Sequence, residues 1–391
     1  MSKVVKRTMR YEQLDSIRGL ACLMVLVGHT FKMNWVDLPD WYSDTPLYLT
    51  YASHEAVILF FVLSGFVLTL PFMRKDHYNV SKKEYIQFII KRTKRIGKPF
   101  FVATTVLFLL LVINFTFFQE RSYYSQVTES KWHEVPSVSD ILYNFQLILD
   151  FNTSEYNPVV WTLLHEFRFA LVFPLFLLAL KKKRYSVITI IIVMITSLSL
   201  NAFNLFEAKG NLSGYTDFIH YTLSFFAGML LARHLNTLTA WFKSKKTYIP
   251  SIIFTIGVVL FYLSNHYIYP YLSSLLPSHM EFLAFRFSDY LLNIACLMLM
   301  IGLLFNESIK QVFLFKPLHF IGKISFSIYL YHYTILIFIY KLLHGVTPDI
   351  LNIFISYVLI FIASVLSYRM VEQSRGFAYL GDKYKRLVVE R

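Results

Sequence analysis

An arginine and a histidine stand eleven residues apart in the first apolar stretch of this chain, LDSIRGLACLMVLVGH at 14 to 29. At about 100° per residue, eleven helical steps return to within about 20° of the starting direction, so Arg18 and His29 share one face, about 16 Å apart along the axis. Imidazole is the side chain that titrates near neutral pH, which suits it to general-base or nucleophilic work. Asp15 lies three residues before Arg18 on nearly the same stripe, close enough to orient it. Ionisable groups in hydrocarbon are costly unless paired or hydrated, so each one calls for a reason. Arg18 by itself has a blander reading, in which its stem snorkels and carries the charge to the lipid headgroups.

Other candidates sit in later apolar stretches. Glu166 falls in WTLLHEFRFALVFPL, about five residues in from the outer side, with Arg168 on a different face and the adjacent His165 pointing elsewhere. Glu166 either pairs with a cation of another helix or serves the chemistry, and the two are compatible. In FFVLSGF, Ser64 and Gly65 let helices approach closely, or Ser64 faces a polar site. His332 lies among Ser325, Ser327, Tyr329 and Tyr331, either lining a cavity or bonding a neighbouring helix. Arg92 and Arg95 of KRTKR share a helical face. They are topology-setting charge or, since guanidinium grips phosphate bidentately, a dock for a nucleotide-bearing donor. Cys22 and Cys296 lie in apolar stretches without a CxxC pattern, so no metal site is expected.

The elements that must position these residues follow from composition. The chain has 391 residues, 56% hydrophobic and 16% charged, with a mean hydropathy of +0.49. That is too little charge to cover a soluble surface. Apolar windows at about 14–33, 54–73, 99–118, 159–180, 185–203, 215–234, 248–266, 285–305, 318–343 and 350–370 predict an all-α polytopic membrane protein of about ten spans. The net charge of +14 is dispersed in short runs between spans, which excludes a nucleic-acid partner. Of the 38 Lys and Arg, five (Lys32, Arg121, Lys131, Lys209 and Lys341) fall on the outer side, and Arg18, Arg168 and Arg286 lie within or beside spans. The remaining 30 are on predicted inner segments. This bias predicts both termini in the cytoplasm. The first stretch carries Asp15 and Arg18 and no small-residue cleavage site, so it reads as an uncleaved span rather than a signal peptide. Residues 1–391 read as a single transmembrane domain, with no repeat and no fused soluble domain. Segment 81–98 is expected as a basic amphipathic helix on the inner leaflet, ending where Pro99 opens the third span. Segment 119–158 is expected as an extracytoplasmic loop, in which 138–151 is too short and polar to cross.

Taken together, these motifs resemble the membrane-bound acyltransferase-3 family. The matching elements run in order through nearly the whole chain: LDSIRGLACLMVLVGH, FFVLSGF, KRTKR, WTLLHEFRFALVFPL, FIGKISFSIYLYHY at 320 to 333 and YRMVEQSRG at 368 to 376. The resemblance implies ten spans and transfer of an acyl group, usually acetyl, from cytoplasmic acyl-CoA to hydroxyls of extracytoplasmic glycans or related small molecules, in a bacterial plasma membrane. It implies His29 and Arg18 as the family's motif pair, Arg92 and Arg95 as its inner-loop arginines and Glu166 as its fourth-span acid. Thr162–His165 departs from the family's commoner Ser and small or apolar residues there. No permanently bound cofactor is expected; acetyl-CoA is the donor substrate, and lipids are the surroundings.

These residues predict a division of labour. Arg92, Arg95 and Arg18 would hold the donor's phosphates while its pantetheine arm reaches toward His29. His29 would act as general base on the acceptor hydroxyl or carry the acyl group as a nucleophile. Glu166 would orient His29 or bind the acceptor, with Ser64 or His332 near the oxyanion. The alternative is a transporter or flippase of a glycan or lipid precursor, which would also need buried charge, although no two-fold internal symmetry is found.

Overall fold

The computed structural model describes residues 11–33, 38–74, 77–117, 132, 134–202, 212–244 and 248–373. No strand occurs among them; ten long helices carry the architecture. They are α1 (Glu12–Lys32), α2 (Ser53–Met73), α3 (Lys82–Phe117), α4 (Val160–Ala179), α5 (Lys183–Ala202), α6 (Tyr215–Lys243), α7 (Tyr248–Leu263), α8 (Glu281–Phe305), α9 (Lys316–Leu343) and α10 (Asp349–Ser367). Nine of the ten, α7 taken with its helical continuation to Leu275, are long and apolar enough to cross a membrane. The exception is α6, which at 29 residues has the length but carries Asp217, His220, Thr222 and Ser224. Those side chains are buried against other helices and never meet lipid, so α6 can be more polar than its neighbours.

The core is built around α2 and α9. Helix α6 runs along α2 in the most extensive helix pair, and α1 runs along α9. Glycines make both approaches possible. A Cβ on Gly65 or Gly228 would strike the backbone of the facing helix at Phe225 or Val62, and a Cβ on Gly19 would sit 2.7 Å from the backbone nitrogen of Gly322. Small residues let backbones touch where lipid supplies no hydrophobic drive for association. Between α2, α4 and α6 an aromatic cluster fills the space: Phe169 stacks on Phe225 at 4.3 Å, and Trp161 lies 5.2 Å from Tyr221. Helices α5, α7 and α10 lie at the periphery and turn apolar faces outward, including Ile191, Ile195, Ile252, Ile256, Phe354 and Phe361.

Helix α3 corrects one expectation. Segment 81–98 and the third span form a single helix of 36 residues with Pro99 inside it. Proline removes one backbone hydrogen bond and usually bends or ends a helix. Here the helix before Pro99 is held by packing. The Tyr85 hydroxyl donates to the Leu171 carbonyl at 2.8 Å, and Phe88 stacks on Phe173 at 5.1 Å. The basic stretch is therefore docked on α4, and Arg92 is buried in the bundle. Residues Val138–Asn144 form a seven-residue helix, too short to cross, as expected for 138–151. Much of 119–158 before that helix, both chain termini and the end of YRMVEQSRG lie outside the described residues.

Candidate active site

Two cavities enter the bundle from opposite ends. The first, about 140 Å³, lies between the first halves of α1, α2, α3, α4 and α9 and the helical turn Tyr368–Glu372 that follows α10. Arg18, Ser64, Arg95, Glu166, Lys323 and Glu372 give it its charge and polarity. The second, about 300 Å³, lies at the far end of α1, beside the start of α2 and the loop before α4, with His29, Lys32, Ser53, His54 and Tyr333 on its walls. Val57 and Tyr329 line both cavities. They form a shared wall, at which the Tyr329 hydroxyl hydrogen-bonds Thr162 (2.8 Å).

Helix geometry places the sequence candidates on this frame. Arg18 and His29 share a face of α1, and each opens into a different cavity, which uses the whole length of the stripe. Arg18 Nη1 donates to Asp15 Oδ1 at 3.1 Å, the one-turn pairing expected from spacing. The second Asp15 oxygen is 3.6 Å from His319 Nε2. Asp15 thus fixes the guanidinium at the rim of the first cavity, on a backbone already clamped by the Gly19–Gly322 approach.

Glu166 pairs with a cation of another helix. Arg92 Nη2 donates to Glu166 Oε1 at 2.5 Å, with a long 3.5 Å contact from the Ser64 hydroxyl to the same oxygen. Two expectations change as a result. Arg92 and Arg95 share a face, but Arg92 is buried on Glu166, and only Arg95 points an exposed guanidinium into the cavity. Glu166 and His29 line different cavities, and no hydrogen bond joins them, so Glu166 does not orient His29. Ser64 lines the first cavity while its neighbour Gly65 makes the close approach to α6, so that motif serves both readings.

Around His29 the partners are rings. His332 lies 5.2 Å away and Tyr333 5.3 Å away, centroid to centroid. His332 Nδ1 is 2.8 Å from the Tyr329 carbonyl, which can only accept, so Nδ1 carries the hydrogen and Nε2 keeps its lone pair. That Nε2 is buried and bonded to nothing among the described residues, a free acceptor beside His29. The two α4 neighbours of Glu166 are structural. His165 bonds the Leu212 carbonyl (2.9 Å), and Arg168 staples the carbonyls of Ile148 (2.7 Å) and Ser213 (2.5 Å), pinning the loop that floors the second cavity.

Several site residues carried no role in the sequence reading. Lys323 and Glu372 lie within the FIGKISF and YRMVEQ elements, yet only folding sets them facing Arg95, with Glu372 accepting from Ser327 at 2.5 Å. Tyr329 gave no sign that it divides two chambers. His54 stands at a helix start, where polar residues are ordinary, so the sequence gives no signal for it. No group of three or more His, Cys, Asp or Glu that could hold a metal ion occurs among the described residues.

Comparison with known proteins fits this arrangement. The family model described as an acyltransferase domain matches residues 11–369. The chain is 26% identical over 386 residues to O-acetyltransferase OatA of Staphylococcus aureus, covering 95% of this chain and 59% of that protein. It is 24% identical over 384 residues to the peptidoglycan O-acetyltransferase OatA of Listeria monocytogenes, covering 94% of this chain and 57% of that protein. The chain therefore spans less than two thirds of the length of these relatives. No solved structure matches it. With the motifs in order, the pair of cavities in place and a match from the first helix to the last, this chain belongs to the acyltransferase-3 family.

Proposed function

We propose that the protein is a bacterial plasma-membrane O-acyltransferase that takes an acyl group, acetyl by default, from cytoplasmic acyl-CoA and delivers it to a hydroxyl of an extracytoplasmic glycan. One observation carries the reading: two cavities reach inward from opposite ends of the bundle and end on the same wall, Val57 and Tyr329. The names of the bacterial relatives support a glycan acceptor, peptidoglycan in the Listeria case. The positive-inside bias supports cytoplasmic termini, which puts the Arg18 and Arg95 cavity on the cytoplasmic side and the His29 cavity outside.

The first cavity is small for a nucleotide, since sites for drug-sized ligands run to roughly 300–1,000 Å³. The donor's phosphates therefore stay at the mouth, against Arg95, Arg18 and Lys323, and the thin pantetheine arm enters. Arg92 contributes indirectly: buried on Glu166, it offsets that carboxylate, which would otherwise repel phosphate. At the wall the thioester carbonyl comes within the reach of groups from both sides. His29 acts on the acyl transfer from the outer cavity, as base or as transient carrier, with the Nε2 lone pair of His332 beside it.

The test is His29→Ala in protein shown to be folded and inserted, assayed for acetyl transfer from acetyl-CoA to muropeptide disaccharides. Loss of a general base or nucleophile lowers kcat by roughly 10²–10⁴-fold. Wild-type turnover in the variant would sink the assignment to His29. A wild-type protein that moves glycan while leaving acetyl-CoA intact would establish the transporter reading instead. Reporter fusions at the two termini check the orientation.

A further inference from the structure

Besides His29, the outer cavity holds a second imidazole, and this one is built into a relay. His54 is the second residue of α2; its side chain is 26% exposed, and the ring edges onto the cavity beside Ser53 and His29. Its Nε2 lies 2.7 Å from Asp289 Oδ1, and the other carboxylate oxygen lies 2.9 Å from His220 Nε2. Asp289 on α8 and His220 on α6 are both buried, and His220 Nδ1 is 3.4 Å from the Ser197 hydroxyl on α5. Helices α2, α6 and α8 thus meet at one carboxylate, and α5 reaches it through His220.

A carboxylate in this setting only accepts, so both Nε2 atoms donate to it. For neutral His54 this places the hydrogen on Nε2 and the lone pair on Nδ1, the nitrogen not engaged by Asp289. The nearby Arg286 pairs with Asp217 at 2.6 Å, and both imidazoles are bonded to Asp289. A proton arriving at His54 is therefore met directly by a buried negative charge. His29 has no such partner; its neighbours are the rings of His332 and Tyr333. A base held in one tautomer by a third group is the arrangement that activates a hydroxyl. Stability is a weak explanation for it, because a buried charged cluster is seldom more stabilising than apolar packing of the same volume.

We propose that His54 is a second catalytic histidine, the general base for the acceptor hydroxyl, with Asp289 and His220 as positioning residues behind it. The inference rests on the acyltransferase reading and divides the work within it. The acceptor O–H bond breaks, its proton passes to His54 Nδ1, and its oxygen bonds the acyl carbon. The bond from that carbon to its carrier (the thioester sulfur, or a His29 nitrogen where the acyl group pauses there) breaks, and the carrier keeps the electron pair. The imidazolium of His54 stays paired with Asp289 until its proton leaves to cavity water.

The experiment uses the full chain in lipid nanodiscs with acetyl-CoA and muropeptide disaccharides. His54→Gln and Asp289→Asn are expected to lower kcat by roughly 10²–10⁴-fold while the KM for acetyl-CoA stays unchanged. His54→Ala should regain activity when imidazole is added, since the cavity can admit the missing base. Should Asp289→Asn fail to fold, His54 at the cavity edge still carries the test. Unaltered kcat in His54→Gln overturns the proposal, and so does a His54→Ala loss that imidazole leaves untouched. If wild-type protein never consumes acetyl-CoA, the acyltransferase reading itself fails and this proposal with it, an outcome visible before any variant is made.

Discussion

Replacing Glu166 by Gln strips the charge from the carboxylate that holds Arg92. The Arg92 side chain is 7% exposed and the Glu166 side chain 22% exposed, so the loss falls mainly on the arginine. Leaving one member of a buried pair uncompensated costs about 3–5 kcal/mol. The amide oxygen of Gln still accepts one hydrogen bond, worth about 1 kcal/mol, and the cavity hydrates part of the site, so about 2 kcal/mol is expected. Arg92→Met leaves Glu166 facing the cavity near Arg18, Arg95 and Lys323, which partly replace the lost partner, and should cost about 1 kcal/mol by the same reasoning. The double variant strands neither charge, so the pair should show a coupling of about 1.5 kcal/mol in a double-mutant cycle. Equilibrium unfolding in mixed micelles, driven by rising mole fraction of a denaturing detergent, measures all four proteins. A coupling within about 0.5 kcal/mol of zero, the usual limit of additivity, would refute the claim that Glu166 serves to neutralise Arg92.

Three further outcomes follow from the geometry. Arg95→Ala should raise the KM for acetyl-CoA about tenfold or more with kcat little changed, since a hydrogen bond to a charged group contributes about 1.5–3 kcal/mol; Arg92→Met, which acts only by baring the Glu166 carboxylate, should raise it less. Gly228→Ala, whose Cβ would strike the α2 backbone, should destabilise by about 1–3 kcal/mol or more, whereas Gly97→Ala, which meets nothing closer than Thr93 Cγ2 at 3.8 Å, should be neutral or slightly stabilising. Ser137→Ala removes the capping box of Val138–Asn144, at a cost of about 1 kcal/mol, read by hydrogen exchange in that helix. The Ser137 hydroxyl and backbone N–H hold the Asp140 carboxyl below the usual carboxylate range. A lowered carboxyl contributes most above its unfolded value, so wild-type protection should weaken as pH falls, and the variant, which keeps only the backbone N–H of that pair, should show a smaller dependence.

Local rules revealed the parts of this molecule that depend on local rules. Span positions were legible because bilayer thickness sets a minimum apolar length. The Asp15–Arg18 pair was legible because residues three apart share a helical face. Contacts between distant segments were not. Nothing in the chain marks Arg92 as the partner of Glu166, 74 residues away, or Asp289 as the meeting point of His54 and His220. Pro99 shows the opposite failure: a local signal for a helix start was overridden by the docking of Tyr85 and Phe88 on α4. The cavity at His29 depends on the most such contacts, and the place of His54 beside it was not legible for that reason.

The wall at Val57 and Tyr329 has an electrical consequence. A bacterial membrane stores energy as a voltage and a proton gradient, and a bundle hollowed from both ends is a potential short circuit. Moving a full charge through a low-dielectric barrier is prohibitively expensive, so a few ångströms of aliphatic and aromatic side chain insulate as long as they stay shut. The acetyl group crosses by exchange of covalent bonds, so no free ion enters that barrier. Because the electron pair stays on the donor sulfur inside and the acceptor's proton leaves to water outside, each transfer on the proposed reading moves one positive charge outward against the gradient, and widening Tyr329 to a smaller residue would be felt first as proton leak.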